Sequence, residues 1–221
     1  MNHNFTEALE SRVLMSGNPM PLSDAVMMDR TQIRLDLLKF KADIAADRVT
    51  LFSDLAAIKM HGGKNHPTLT PLLQKYRNDL KSMDTALRQD RLTEKQNVLN
   101  DMKMILADMK QVRSDQGNTE ALIADRAKLL NDRIRMQSDM VAGLNSRIAT
   151  RQAFSTLLIA DDESIVNAIN GDENASDELK ADVVRWTTDR SAADTLRSSD
   201  LAKLVADRVQ LVNDLTAMQS A

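Results

Sequence analysis

The sequence predicts an all-α protein, an elongated up-down-up-down antiparallel four-helix bundle with coiled-coil-like helices. Three observations point there. Aromatic residues make up only 3% of the 221 residues, and six Gly and four Pro are too few turn residues for many short strands. Apolar residues recur by threes, fours and sevens over long stretches. Asp-Arg pairs recur at helix-compatible spacing. The decapeptide Ala46-Asp47-Arg48-Val49-Thr50-Leu51-Phe52-Ser53-Asp54-Leu55 returns as Ala206-Asp207-Arg208-Val209-Gln210-Leu211-Val212-Asn213-Asp214-Leu215. A looser copy runs from Ala124-Asp125-Arg126 through Leu129 to Asp132. Asp29-Arg30 lies 18 residues before Asp47-Arg48, and Asp189-Arg190 lies 18 residues before Asp207-Arg208. At about 3.6 residues per turn that spacing is five turns, so each pair of copies faces the same way. Such a unit builds long helices that pack side by side, and it builds no pocket.

Residues 1–22 read as a tail interrupted by Ser16, Gly17, Asn18, Pro19 and Pro21, with one short amphipathic turn from Phe5 to Leu14. The bundle follows over 23–221. Ser23 offers an N-cap and Asp24 an anion for the helix dipole. The first helix is predicted over about 24–60, on the stripe Val26, Ile33, Leu37, Phe40, Ile44, Leu51, Leu55 and Ile58, with Arg30 and Arg48 in its gaps. Paired glycines and Pro67 end it. Thr70-Pro71 caps and restarts the chain, giving a second helix over about 71–116 with Arg91 in a gap of its stripe. Gly117-Asn118 is a short stop, so the third helix doubles back from Thr119. It is predicted to end near 160, before Asp161-Asp162, with Gly143 as a candidate bend and a separate short turn from Ser164 to Ile169. A loop over 172–176 leads to a fourth helix over about 177–219, with Arg190 and Arg208 on its stripe. Short links between four helices give the up-down-up-down order.

The candidate functional positions are the Asp-Arg pairs: Asp29 and Arg30, Asp47 and Arg48, Asp90 and Arg91, Asp125 and Arg126, Asp189 and Arg190, Asp207 and Arg208. Asp29, Asp36, Asp43, Asp47 and Asp54 each precede a stripe position by one residue, and Asp101, Asp108, Asp200, Asp207 and Asp214 repeat this on later helices. Carboxylates so placed line one flank of a seam, where charge selects the neighbour and its register. The Arg that follows can lay its apolar stem on the core and reach out to a carboxylate. Asp outnumbers Glu 25 to 7, against helix propensity. We read the excess as interhelical Asp–Arg pairing between closely packed helices; solvated helix faces and a carboxylate row for calcium are the rival readings.

Several chemistries are excluded or unsupported. A net charge of −3, with Lys and Arg dispersed, offers no basic run for nucleic acid. With zero Cys there is no disulfide, thiolate metal site or thiol nucleophile. No apolar run suffices for a transmembrane helix or a secretory signal core. No Ser-His-Asp set, phosphate loop or His-Glu-x-x-His stretch is present, and Asp172, Asn174, Ser176 and Glu178 lack the glycine and distal glutamate of a calcium loop. No cofactor, metal or small-molecule ligand is expected, and the chain reads as a non-enzyme.

Near the N-terminus, Leu9, Glu10, Arg12, Leu14 and Ser16 match the pattern Leu-Glu-x-Arg-x-Leu-Leu-Ser, with Ser11 where Pro is common and Met15 in place of Leu. This segment resembles the LEPR-XLL motif that opens large exported or surface proteins of planctomycete-type bacteria. The resemblance covers about 13 residues and implies export or envelope association: cell surface or periplasm, with the cytoplasm as the other setting. The expected function is a non-catalytic structural or protein-interaction bundle that self-associates or meets protein partners. The alternative is a periplasmic adaptor or holdase chaperone gripping clients with a Met-rich face, suggested by 13 Met residues.

Overall fold

The computed structural model describes residues 24–63 and 65–220, and among these the chain is helical with no strand. Helix α1 spans Asp24–Ile58, α2 Leu69–Ser114, α3 Thr119–Asn170 and α4 Asp177–Ser220. The helices pack on one another as a bundle. The tail, with Leu9, Glu10, Arg12, Leu14 and Ser16, lies outside the described residues.

Each helix end has a local cause. After Ile58 the chain widens into a turn over Lys59–Gly63, where Gly62 takes φ 95°, a left-handed conformation that side chains resist. α2 begins at Leu69 and not at the predicted Thr70-Pro71 restart. Leu69 is fully buried, and the Thr68 hydroxyl donates to Asp172 at 2.5 Å, which fixes the entry one step earlier. Pro71 still falls in the first turn, where its missing N–H costs nothing. Asn118 caps α3 by accepting the Ala121 N–H at 3.2 Å, and Ser176 caps α4 by accepting the Leu179 N–H at 3.2 Å.

The third helix corrects the sequence prediction. It runs unbroken to Asn170, through Asp161 and Asp162 and through the segment read as a separate turn. Both carboxylates are buried and paired, Asp161 with Lys75 and Asp162 with Arg190, so they join the packing and do not end it. Gly143 also serves the packing of this helix. A Cβ there would meet the Glu94 side chain at 2.5–2.8 Å, so the glycine lets α2 approach α3 closely.

The described residues divide into two compact units, and every helix contributes to both. One unit holds Arg34–Arg91 and Leu144–Val205; the other holds 24–33, Leu92–Gly143 and 206–220. In the first, Ile58, Leu69, Leu158, Ile165, Leu179 and Val183 surround Tyr76 and Trp186, whose rings meet edge to face at 5.1 Å. We call it the aromatic unit. In the second, Met102, Met109, Met136 and Met140 pack with Val98, Ile105 and Leu129. This is the Met-rich unit. Within the aromatic unit α1 and α4 are antiparallel: Asp36 meets Lys203, Asp47 meets Arg197 and Asp54 meets Arg185.

Candidate functional site

The charged seams hold the chemistry that the sequence singles out. An Asp carboxylate stands close to its own helix, and a neighbouring Lys or Arg reaches it on a long stem. In the aromatic unit, Lys203 meets Asp36 at 2.6 Å and Lys39 meets Asp200 at 2.8 Å. These are two copies of Asp-Leu-x-Lys, Asp36-Leu37-Leu38-Lys39 and Asp200-Leu201-Ala202-Lys203, paired reciprocally because their helices are antiparallel. Arg185 reaches Asp54 at 3.0 Å and Asp182 at 2.7 Å, and Asp182 also accepts a 2.5 Å hydrogen bond from His61 Nδ1. In the Met-rich unit, Lys128 meets Asp108 at 2.6 Å and Arg135 meets Asp101 at 2.7 Å.

One asymmetry runs through these pairs. The carboxylates of Asp36, Asp54, Asp101, Asp108 and Asp200 are almost fully enclosed, whereas Lys39, Lys128, Arg135, Arg185 and Lys203 keep about half of their side chains in water. A short acid can be buried between helices while the cation keeps most of its hydration. Glu would push its carboxylate outward, which accounts for the bias toward Asp at these positions. Lys39, Lys128, Arg135 and Arg185 are held above their ordinary values chiefly by hydrogen bonds to these carboxylates, and Lys75 chiefly by its hydrogen bond to Asp161.

Arg190 is the exception, since it is itself buried. Its guanidinium bonds Asp162, lies 3.0 Å from Asp194, and stands 5.2 Å from the centre of the Tyr76 ring. It also donates to the Leu158 carbonyl at 3.4 Å. Burial pushes the Tyr76 hydroxyl up to about 12.

The other Asp-Arg positions are dispersed. Asp47 faces Arg197 at 3.2 Å, while its neighbour Arg48 is exposed. Asp90 accepts the Ser146 and Thr150 hydroxyls at 2.8 and 2.7 Å, and Arg91 is exposed. Arg208 donates to the Gln137 carbonyl oxygen at 2.7 Å. Arg126, Asp189 and Asp207 are half-buried. Asp29 faces Asp214, and Arg30 stands near Arg133. A dipeptide spacing finds residues on one face; the partners come from Lys and Arg elsewhere, and the doubled Asp-Leu-x-Lys was the sequence signal for two of them.

The Met-rich unit also brings like charges together. Burial first, and then a nearby carboxylate, raises Asp29 (beside Asp214), Asp125 (beside Asp115), Asp132 (beside Asp108) and Asp139 (beside Asp101). Arg133 is buried, its Nε and Nη2 meet no protein acceptor, and burial with Arg30 nearby lowers it to about 10. In the aromatic unit Asp43, Asp79, Asp172 and Glu178 all move down, drawn by hydrogen bonds to Lys39, Lys75, Thr68 and a backbone N–H respectively.

The oxygen-rich loop after α3 is engaged in closing the chain: Asp172 receives Thr68 and the Asn174 N–H, and Ser176 caps α4. His66 lies 4.0 Å from Asp172, and His61 is on Asp182. Among the described residues no three metal-ligating side chains converge, and no helix is long and apolar enough to cross a membrane. No family model, curated protein or solved structure matches the chain.

Proposed function

We propose that the chain is a non-catalytic structural or protein-interaction bundle, exported or associated with the cell surface. The observation that carries this is the use of its buried acids: they join helix to helix, and His61 and His66 are drawn into the same contacts. Side chains so committed are poor general acids or nucleophiles, because a reacting group must face a substrate. What the bundle offers outward is helix surface, including large apolar residues such as Val49, Phe52 and Ile123. Export rests on the resemblance of residues 5–17 alone.

Size-exclusion chromatography with light scattering tests self-association, and a mass that stays monomeric across concentration removes the oligomer from the proposal. Elemental analysis of the purified chain addresses catalysis by a bound metal; a stoichiometric metal would replace the non-catalytic role. A chaperone gripping clients through Met is less well supported, since Met102, Met109, Met136 and Met140 are buried against one another.

A further inference from the structure

Helix α1 is apolar on two opposite faces. Leu37 and Ile58 point into the aromatic unit and are buried. Leu35, Leu38, Val49 and Phe52 lie on the far side, and all are more than half exposed, Phe52 at 72%. Ala42, Ala45 and Ala56 fill the intervening positions and are exposed too. Positions 35, 38, 42, 45, 49, 52 and 56 step by threes and fours. Such alternation over three heptads is a coiled-coil seam, about 32 Å long at 1.5 Å per residue. Its mixture of bulky and small side chains makes knobs and holes for another helix. A helix lying on lipid has no use for the holes.

Charge selects among helices. Arg34, Lys41 and Arg48, seven residues apart, border the seam on one side, Lys59 follows, and all four are exposed. On the other side the acids Asp36, Asp47 and Asp54 are turned to α4, where Lys203, Arg197 and Arg185 meet them. The outward face is therefore apolar with a basic edge, although the whole chain is net acidic. A second copy docking antiparallel by the same face would set this basic edge against itself. A parallel copy would set it against Lys39, Ala46 and Ser53, which offer no negative charge.

We infer that the outer face of α1, from Leu35 to Ala56, is the docking seam for an amphipathic helix of a partner protein that carries acidic residues along its flank. This rests on the protein-interaction role proposed above and names its surface and partner chemistry. The test uses the whole chain and a synthetic peptide of about four heptads with Leu and Ile at a and d and Glu at e and g. Its own like charges keep the peptide from pairing with itself. A second peptide has Lys in place of Glu. Fluorescence anisotropy is expected to show the Glu peptide binding at least about tenfold more tightly than the Lys peptide, with the preference falling as salt screens it. The double variant Leu38→Asp/Phe52→Asp is expected to lose binding while its circular dichroism melt stays close to that of the parent, because both side chains face water.

Equal binding of the two peptides, no binding, or binding that survives the double variant overturns the seam. So does self-association abolished by Phe52→Asp, which would make a second copy the occupant, or adsorption to phosphatidylglycerol vesicles abolished by it, which would make the occupant a lipid surface. Peptide failure in a chain that still self-associates overturns the acidic helix and leaves the interaction role standing. Peptide failure in a monomer that carries a stoichiometric metal overturns both.

Discussion

The aromatic unit and the Met-rich unit are cut from the same four helices, yet they solve packing and charge differently. Tyr76 and Trp186 fix the first around an edge-to-face pair, with Arg190 joined to Asp162 beside them. The second has no aromatic side chain among its described residues, and its core is closed by Met and by the close approach at Gly143. Its acids face other acids at Asp29–Asp214 and Asp139–Asp101, and Arg133 is buried near Arg30. The repeated decapeptide makes the contrast direct. Asp54 in the aromatic unit meets Arg185, and Asp214, its counterpart in the Met-rich unit, faces Asp29. Closely similar local sequence thus gives a clasp in one place and a repulsion in the other, and the neighbouring helix decides which.

The largest expected effect is in the aromatic unit. Arg190→Ala leaves Asp162 enclosed without its cation and removes the guanidinium from Tyr76. Breaking one side of a buried pair costs about 3–5 kcal/mol. Urea denaturation followed by the fluorescence of Trp186, the single Trp, reads this unit directly. A loss below about 1 kcal/mol would mean that the pair behaves as an exposed one. The matched change in the Met-rich unit is Arg133→Met, which removes a buried cation whose Nε and Nη2 lack acceptors and keeps an apolar stem. Replacing an ill-paired buried charge by an apolar side chain is expected to be neutral or stabilising by about 1 kcal/mol or more. Destabilisation by Arg133→Met would show that the two units do not differ in how their charges are matched.

Gly143→Ala is expected to come next, at about 1–3 kcal/mol of destabilisation, because the new methyl overlaps the Cβ and Cγ of Glu94 and the helices must part. Helix propensity alone predicts the opposite, a gain of about 1 kcal/mol. The sign of the change in thermal melting therefore separates close approach from local preference.

The repeat gives a paired test of smaller size. Asp54→Asn weakens the bond to Arg185, a side chain that is half in water, and is expected to cost about 1–2 kcal/mol after screening. Asp214→Asn removes a like charge from Asp29 and is expected to be neutral or slightly stabilising. Equal losses in melting temperature would erase the distinction drawn between the two copies.

Much of the architecture is legible in sequence because helical period and breaker residues act locally. Val26, Ile33, Leu37 and Ile58 are read from the pattern as core and are buried. Three helices keep their predicted extents to within about two residues, the ordinary uncertainty of a helix end. The third does not, because Asp161 and Asp162 read as a polar stop until Lys75 and Arg190 stand opposite them, 86 and 28 residues away along the chain. The same limit governs the charged seams. Spacing reports that Asp47, Arg48, Asp207 and Arg208 recur on helices, but it cannot report that Arg48 faces water or that Arg208 meets an amide. The outer stripe of α1 is present in the sequence as well, but two apolar faces on one helix blur each other's period.

The smallest effect, and the one that reads both units at once, is the response to acid. Asp29, Asp125, Asp132 and Asp139 bind protons more readily when folded than the ordinary carboxylate value of 3.8 allows. Groups raised in this way add stability when protonated, and the gain is lost as pH rises through their folded values. The Met-rich unit should therefore tighten as pH falls from neutrality toward 3.8. Asp43, Asp79 and Asp172 are shifted the other way, so their contribution to the aromatic unit is complete above 3.8 and is lost as pH falls below it toward their folded values. Amide exchange, corrected for the intrinsic effect of pH, should show protection rising in 92–143 before any loss in 144–205. Loss of protection in both segments together would show that the acid clusters of the Met-rich unit are too well solvated to hold their protons, and that the two units differ in packing but not in charge.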